Sequence, residues 1–279
     1  MPIDHFHFGA VTPVLSYTLS VLGSLLGLVS TARARLIEDP KRRGRWLLLG
    51  AWAIGGTGIW VMHFMAMLGF DVAGMRIRYD LLTTVASWVT AIVVVSIGMF
   101  IVGFGKPNPV KIIFAGVITG LGVAGMHYTG MAAMRMPGTV HYDQKLVIAS
   151  VVIAVVAATV ALWFTVTLRR PILIVIAALI MGVAVNGMHF TGMYAMSVQA
   201  NPGATVSGFM PILFVAPIAI FVIVVFIVLL TALINRDDTG SGGGLGRLVP
   251  QPGSSLATTP TAQPGSRIAG AFGPRPGRP

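Results

Sequence analysis

Seven stretches of this chain are apolar enough to cross a bilayer, and none carries Asp, Glu, Lys or Arg in its interior. They are Val11–Thr31, Trp46–Phe70, Leu81–Phe104, Ile112–Met134, Leu146–Leu168, Ile172–Met196 and Met210–Ile234. A hydrocarbon core about 30 Å thick takes about 20 apolar residues of helix. In lipid a chain must satisfy its own backbone, which leaves only helices and closed barrels. Runs this long and this continuously apolar predict helices. The expected fold is therefore all-α, an integral membrane protein with seven transmembrane helices. Composition agrees: 10% of residues are charged, against about 25% in soluble domains. The acidic residues Asp4, Glu38, Asp39, Asp71, Asp80, Asp143, Asp237 and Asp238 all fall outside the spans.

The 19 basic residues divide unevenly between the two sets of connecting segments. Fifteen lie on one side, in the segments around Arg33–Arg45, Lys106–Lys111 and Arg169–Arg170 and from Arg236 onward. The other side holds four: Arg76, Arg78, Arg135 and Lys145. Basic loops stay in the cytoplasm, so the N-terminus is expected outside and the C-terminus cytoplasmic. The formal charge of +11 is then a topology signal, and no nucleic-acid partner is expected. Arg outnumbers Lys in a chain rich in Ala, Gly and Val, as GC-rich bacterial genomes encode, which points to a bacterial inner membrane. The start, Met-Pro-Ile-Asp-His-Phe-His, lacks a positive n-region, so the first span is expected to be retained. Residues 1–234 form the expected membrane domain. Asn235–Pro279, rich in Gly, Pro, Ser and Thr, has too little apolar surface to offset its ordering entropy and is expected to be a disordered cytoplasmic tail. The chain has no cysteine, which removes disulfides, thiolate metal sites and cysteine nucleophiles.

Three segments repeat: Trp60-Val-Met-His-Phe-Met-Ala-Met-Leu-Gly-Phe70, Ala124-Gly-Met-His-Tyr-Thr-Gly-Met-Ala-Ala-Met134 and Asn186-Gly-Met-His-Phe-Thr-Gly-Met-Tyr-Ala-Met196. Each lies on the second helix of a helical hairpin, so the three motif helices run in one direction, with the seventh span left over as an extra C-terminal helix. His63, His127 and His189 then stand at one depth, near the outer face, and can converge around a pseudo-threefold axis. Residues i and i+4 share a helix face, which places Met67, Met131 and Met193 in line with the histidines. Met134 and Met196 continue the stripe at i+7, where the first copy has Phe70. Met62, Met126 and Met188, one residue before each His, are turned toward neighbouring helices. Imidazole and thioether without carboxylate form a soft to borderline donor set that suits copper better than Mg, Ca or Mn. Ionisable groups within a membrane are usually functional.

Other residues frame the site. His5 and His7 precede the first span and can fold over the cluster as further ligands. Asn186 either supports His189 or satisfies a helix contact. His141 is expected in solvent. Asp71, Asp80, Arg76 and Arg78 are expected to pair within their shared loop, and Pro217 to kink the seventh span. Small-xxx-small pairs at Gly23/Gly27 and Gly116/Gly120 permit close helix approach.

Met126-His127-Tyr128-Thr129, with its variants Met62-His63-Phe64-Met65 and Met188-His189-Phe190-Thr191, resembles the MHYT domain, a bacterial integral-membrane sensor module. The resemblance covers about residues 9–234. It implies a copper atom held by such His and Met residues near the outer face, sensing of oxygen, carbon monoxide or nitric oxide, and a cytoplasmic signalling partner of the cyclic-di-GMP-turnover or kinase class. The expected function is thus a non-enzymatic membrane sensor. Copper transport or chaperoning is the alternative, though no polar series continues below the histidines. Haem is the alternative cofactor. No carboxylate in the spans, Ser/His/Asp arrangement or phosphate-binding loop points to an enzyme.

Overall fold

The computed structural model describes residues 3–201 and 205–234, so the tail expected at 235–279 lies outside the described residues. Seven helical spans are long and apolar enough to cross a membrane, as expected. The first is α1 (Val11–Ala34). The second is continuous through α2 (Pro40–Ala51), a π-helical segment (Trp52–Val61) and α3 (Met62–Met67). There follow α4 (Leu81–Gly103), α5 (Pro109–Ala132), α6 (Gln144–Thr167), α7 (Pro171–Tyr194) and α8 (Val215–Ile234).

The first six spans form a closed ring in which α1 packs on the π segment, that segment on α4, then α4 on α5, α5 on α6, α6 on α7, and α7 back on α1. Motif and non-motif helices alternate around it. α8 stands outside the ring against the π segment, as an extra helix, through Val225 and Leu229 packed near Ala53.

Each hairpin is closed at one end by a short antiparallel ribbon. The strand leading into its first helix pairs with the strand leaving its second. The pairs are β1 (Ile3–Asp4) with β2 (Asp71–Val72), β3 (Arg78–Tyr79) with β4 (Met134–Arg135), and β5 (Gly138–Tyr142) with β6 (Met196–Ala200). One backbone bond recurs beside each ribbon: the amides of His7, Asp80 and Asp143 donate to the carbonyls of Gly69, Ala133 and Ala195 at 2.9, 2.9 and 2.8 Å. The three acceptors each lie six residues after a motif histidine. The repeating unit is therefore β-α-α-β.

Side-chain oxygens start four of the helices. Asp39, Asp80, Asn108 and Asp143 accept from the first-turn amides of α2, α4, α5 and α6, satisfying donors that have no partner within the helix. The cap at Asp39 starts the second helix six residues before the apolar run at Trp46, so Lys41, Arg42, Arg43 and Arg45 form its first turns. At this basic end the Arg35 guanidinium donates to the carbonyls of Thr165, at 2.5 Å, and Leu168, tying α1 to the end of α6. Packing explains the π segment. A Cβ on Gly23 would strike the Gly58 backbone, and one on Gly55 the Ala91 carbonyl. Glycines let a widened helix lie directly against α1 and α4. Pro217, expected to kink the seventh span, lies near the start of its α-helix. It falls in the first turn of α8, after a 3₁₀ turn at Pro211–Phe214, where a missing N–H leaves no helical bond unmade.

Candidate metal centre

The three motif histidines sit on α3, α5 and α7, four or five residues before each helix ends. At 1.5 Å per residue that is about 6–8 Å inside the helix end. The helices bring them together. Ring centroids are 4.9 Å apart for His63–His127, 5.0 Å for His63–His189 and 5.2 Å for His127–His189. The rings meet at 68°, 75° and 86°, like blades of a propeller. Their ligand atoms lie within 4.8 Å of one another. All three are buried, at 2%, 0% and 1% exposure.

The donor atoms that converge are the Nδ1 nitrogens. His63 Nδ1 is 2.9 Å from His189 Nδ1 and 3.2 Å from His127 Nδ1. A neutral imidazole nitrogen either donates one proton or accepts along one lone pair. His63 Nδ1 has a single proton or a single lone pair for two neighbours, so the two contacts compete for it. A proton or metal cation at the centre removes that conflict. Nitrogens bound to one ion at about 2.0 Å lie about 3.3 Å apart in tetrahedral geometry, close to the spacing observed. The Nε2 atoms point the other way and have no hydrogen-bond partner.

Met67, Met131 and Met193, four residues after their histidines, are buried, as are Met62, Met126 and Met188. Met134 and Met196 are also buried, but they begin β4 and β6, beyond the last turns of α5 and α7. Helical periodicity therefore does not carry to them. Asn186 has its helix contact: its Oδ1 accepts from Ser16 on α1 at 2.9 Å and its Nδ2 donates to the Gly182 carbonyl at 2.8 Å. Its amide is thus committed to α1 and to its own helix rather than to His189.

The β1–β2 ribbon folds the N-terminal segment over this end of the bundle. His5 lies half-buried between Tyr194 and Phe70, at centroid distances of 4.5 and 5.5 Å. Burial lowers its pKa below the ordinary value, against the opposing charge of Asp4. His7 turns outward and approaches Asp71 at 4.0 Å, both exposed. His141 is exposed on β5, as expected. The acidic groups pair across loops rather than within one: Asp80 meets Arg135 at 4.0 Å, while Arg78 reaches the Gly208 carbonyl at 3.5 Å.

The aromatic residue after each histidine goes to a different place. Phe64 stacks on Trp60 and touches Tyr79 and Phe214. Tyr128 bonds Ser150 at 2.7 Å and meets Tyr142, and Phe190 meets Phe6. Beside this site Trp60 Nε1 donates to Ser87 at 2.9 Å, a contact that no sequence spacing announces.

Fold and site together define a multi-pass membrane protein of three β-α-α-β repeats with one buried histidine apiece, placed to share a cation. The chain belongs to the MHYT family. The family's sequence model, described as "Bacterial signalling protein N terminal repeat", matches residues 56–116, 120–178 and 182–242. Those units start within a motif helix, so their frame takes in α8 and leaves α1 outside. Among curated proteins, the chain is 36% identical over 193 residues to the bifunctional diguanylate cyclase/cyclic di-GMP phosphodiesterase MucR of Pseudomonas aeruginosa, covering 67% of this chain and 28% of that one. It is 38% identical over 164 residues to the cyclic di-GMP phosphodiesterase NbdA of the same organism, covering 57% and 21%. With the signaling protein YkoW of Bacillus subtilis it shares 26% over 210 residues, covering 72% and 26%. The match thus spans between a fifth and three tenths of each relative's length. No solved structure matches the chain.

Proposed function

We propose that this chain is the sensory membrane module of a bacterial signalling system, holding a copper ion through His63, His127 and His189, with thioether support from Met67, Met131 and Met193. The observation that carries the reading is the convergence of three buried imidazoles whose inward nitrogens cannot all satisfy one another. The absence of carboxylate from the cluster, among the described residues, favours copper over a hard cation. Nδ1 contacts of 2.9 and 3.2 Å leave no gap for a porphyrin, which favours a bare ion over haem. A copper ion held by these residues would supply affinity for a diatomic ligand such as oxygen, carbon monoxide or nitric oxide. The residues themselves exclude water, fix the donors and hold the rings apart. The charge asymmetry supports placing the site near the outer face, with the N-terminus outside. The two relatives named for cyclic-di-GMP turnover support a cytoplasmic partner of that class.

The test is copper stoichiometry in the purified parent, the three single His→Ala variants and His141→Ala, each with an optical spectrum. The parent and His141→Ala should carry copper, and each motif variant should lose most of it. Equal copper in all five proteins, or a haem spectrum in the parent, overturns the reading.

A further inference from the structure

Each repeat has a small residue three positions after its histidine: Ala66, Gly130 and Gly192. On a helix, positions three apart are neighbours, so Gly130 would ordinarily be assigned to His127. The contacts are crossed instead. A Cβ on Gly130 would land on Nε2 of His63, with Cδ2 and Cε1 of the same ring at 3.0 and 3.4 Å. A Cβ on Gly192 would land on Nε2 of His127, with Cδ2 and Cε1 at 2.9 and 3.3 Å. Two independent sites reproduce the same arrangement. In each, an imidazole from one repeat stands end-on against the bare backbone of the next. The corresponding residue of the first repeat is Ala66, so the arrangement belongs to His63 and His127 alone.

We propose that Gly130 and Gly192 are positioning residues of the metal centre: their missing side chains are the seats that hold His63 and His127 with Nδ1 turned inward, each glycine serving the histidine of the preceding repeat. The inference rests on the metal reading above and adds which ring nitrogen binds and what selects it. The ring is confined from both sides. Its Nδ1 already meets another imidazole, at 2.9 and 3.2 Å for His63, so it cannot retreat inward from a new methyl group. It must pivot, and pivoting moves Nδ1 off the common centre. A neutral imidazole that ligates through Nδ1 carries its hydrogen on Nε2, and at Gly130 and Gly192 the bare backbone leaves room for that N–H, although it meets no acceptor there. Outer groups that orient a ligating histidine change metal affinity by about 10- to 100-fold.

The molecule contains its own controls. Gly125 and Gly187 lie two residues before His127 and His189, on the same helices, and a Cβ at either meets nothing within 4 Å. Alanine there tests helix propensity alone. Cu(I) affinity should be measured by competition with a chromogenic chelator. Gly130→Ala and Gly192→Ala should each weaken binding by about 10-fold or more, while Gly125→Ala and Gly187→Ala stay within about twofold of the parent. Ring nitrogens of ¹⁵N-histidine-labelled protein, followed by long-range ¹H–¹⁵N correlation, give a readout that a merely structural role would not move. In the Cu(I)-loaded parent, His63 and His127 should carry the proton on Nε2. In metal-free Gly130→Ala the shifted ring should be His63, not His127 on its own helix. Equal affinity in all four glycine variants overturns the proposal, as does Nε2 ligation in the parent or a shift confined to His127. The tautomer in the parent decides the matter even if an alanine variant fails to fold. A parent that binds no copper defeats the metal reading instead, and the metal-free shift pattern still judges the seats.

Discussion

Removing the Ser16 hydroxyl should cost more than removing the Asn186 amide that it meets. Ser16 is fully buried on α1 and Asn186 is 9% exposed on α7. The serine hydroxyl has one proton and two acceptors in reach, the Asn186 Oδ1 and the Pro13 carbonyl, each at 2.9 Å. In Asn186→Leu the hydroxyl still donates to Pro13, and an apolar side chain of similar size fills the space. In Ser16→Ala the Asn186 oxygen is left buried without its donor, while its Nδ2 keeps Gly182. An orphaned buried acceptor costs about 1–3 kcal/mol, and interhelical bonds in membranes average about 0.6 and reach about 1.7 kcal/mol. Ser16→Ala should therefore lose about 1–1.7 kcal/mol, or about 2–7 °C in Tm for a chain of this size. Asn186→Leu should stay within about 2 °C on the same scale, and adding it to Ser16→Ala should recover part of the loss. Thermal unfolding in detergent, with copper content measured on the same samples, reads both effects. Both single variants should keep the parent's copper. The reasoning fails if Ser16→Ala is neutral, or if Asn186→Leu loses copper as a histidine variant does.

Reporter fusions test the orientation: one after Arg170 should be active in the cytoplasm and one at Gly138 outside it, and the reverse result inverts the topology. His5 predicts acid sensitivity of the N-terminal segment. Its folded pKa lies below the unfolded value of about 6.5, so its packed neutral form contributes fully above that pH and the contribution is lost as pH falls through the folded value. With the intrinsic slowing of amide exchange at lower pH divided out, the protection of residues 3–7 should fall between pH 7.5 and 5 in the parent and stay level in His5→Gln. Equal loss of protection in both proteins would refute the assignment to His5.

Long apolar runs and a motif recurring at the same helical depth made the seven spans and the meeting of His63, His127 and His189 readable from residue order. What escaped depends on contacts between distant segments. β1 to β4 are two residues each, too short for an alternating pattern, and they exist because each hairpin returns to its own start. The π segment follows from glycines meeting α1 and α4, where sequence shows only a Gly-rich helix. Met134 and Met196 looked helical because the apolar pattern runs past Ala132 and Tyr194, where backbone pairing to Tyr79 and Tyr142 takes over. Ion-pair partners were misassigned for the same reason: Asp80 is nearer in sequence to Arg76 and Arg78, yet the β3–β4 ribbon delivers Arg135.

The β-α-α-β unit is self-contained in its backbone and incomplete in its chemistry. Its ribbon closes on itself, yet it brings a single imidazole, and in the first two units that ring stands against the backbone of the following one. Units of a solenoid can be added or removed one at a time, because each needs only a neighbour on either side. Here the third unit must hand back to the first, through α7 on α1, before any of them has a finished centre. Closure thereby bears on the copy number: a two-unit chain would lack the contact of α7 with α1 that closes the ring. Duplication of such a unit can be selected for metal binding only when the circle is complete, within one chain or between several.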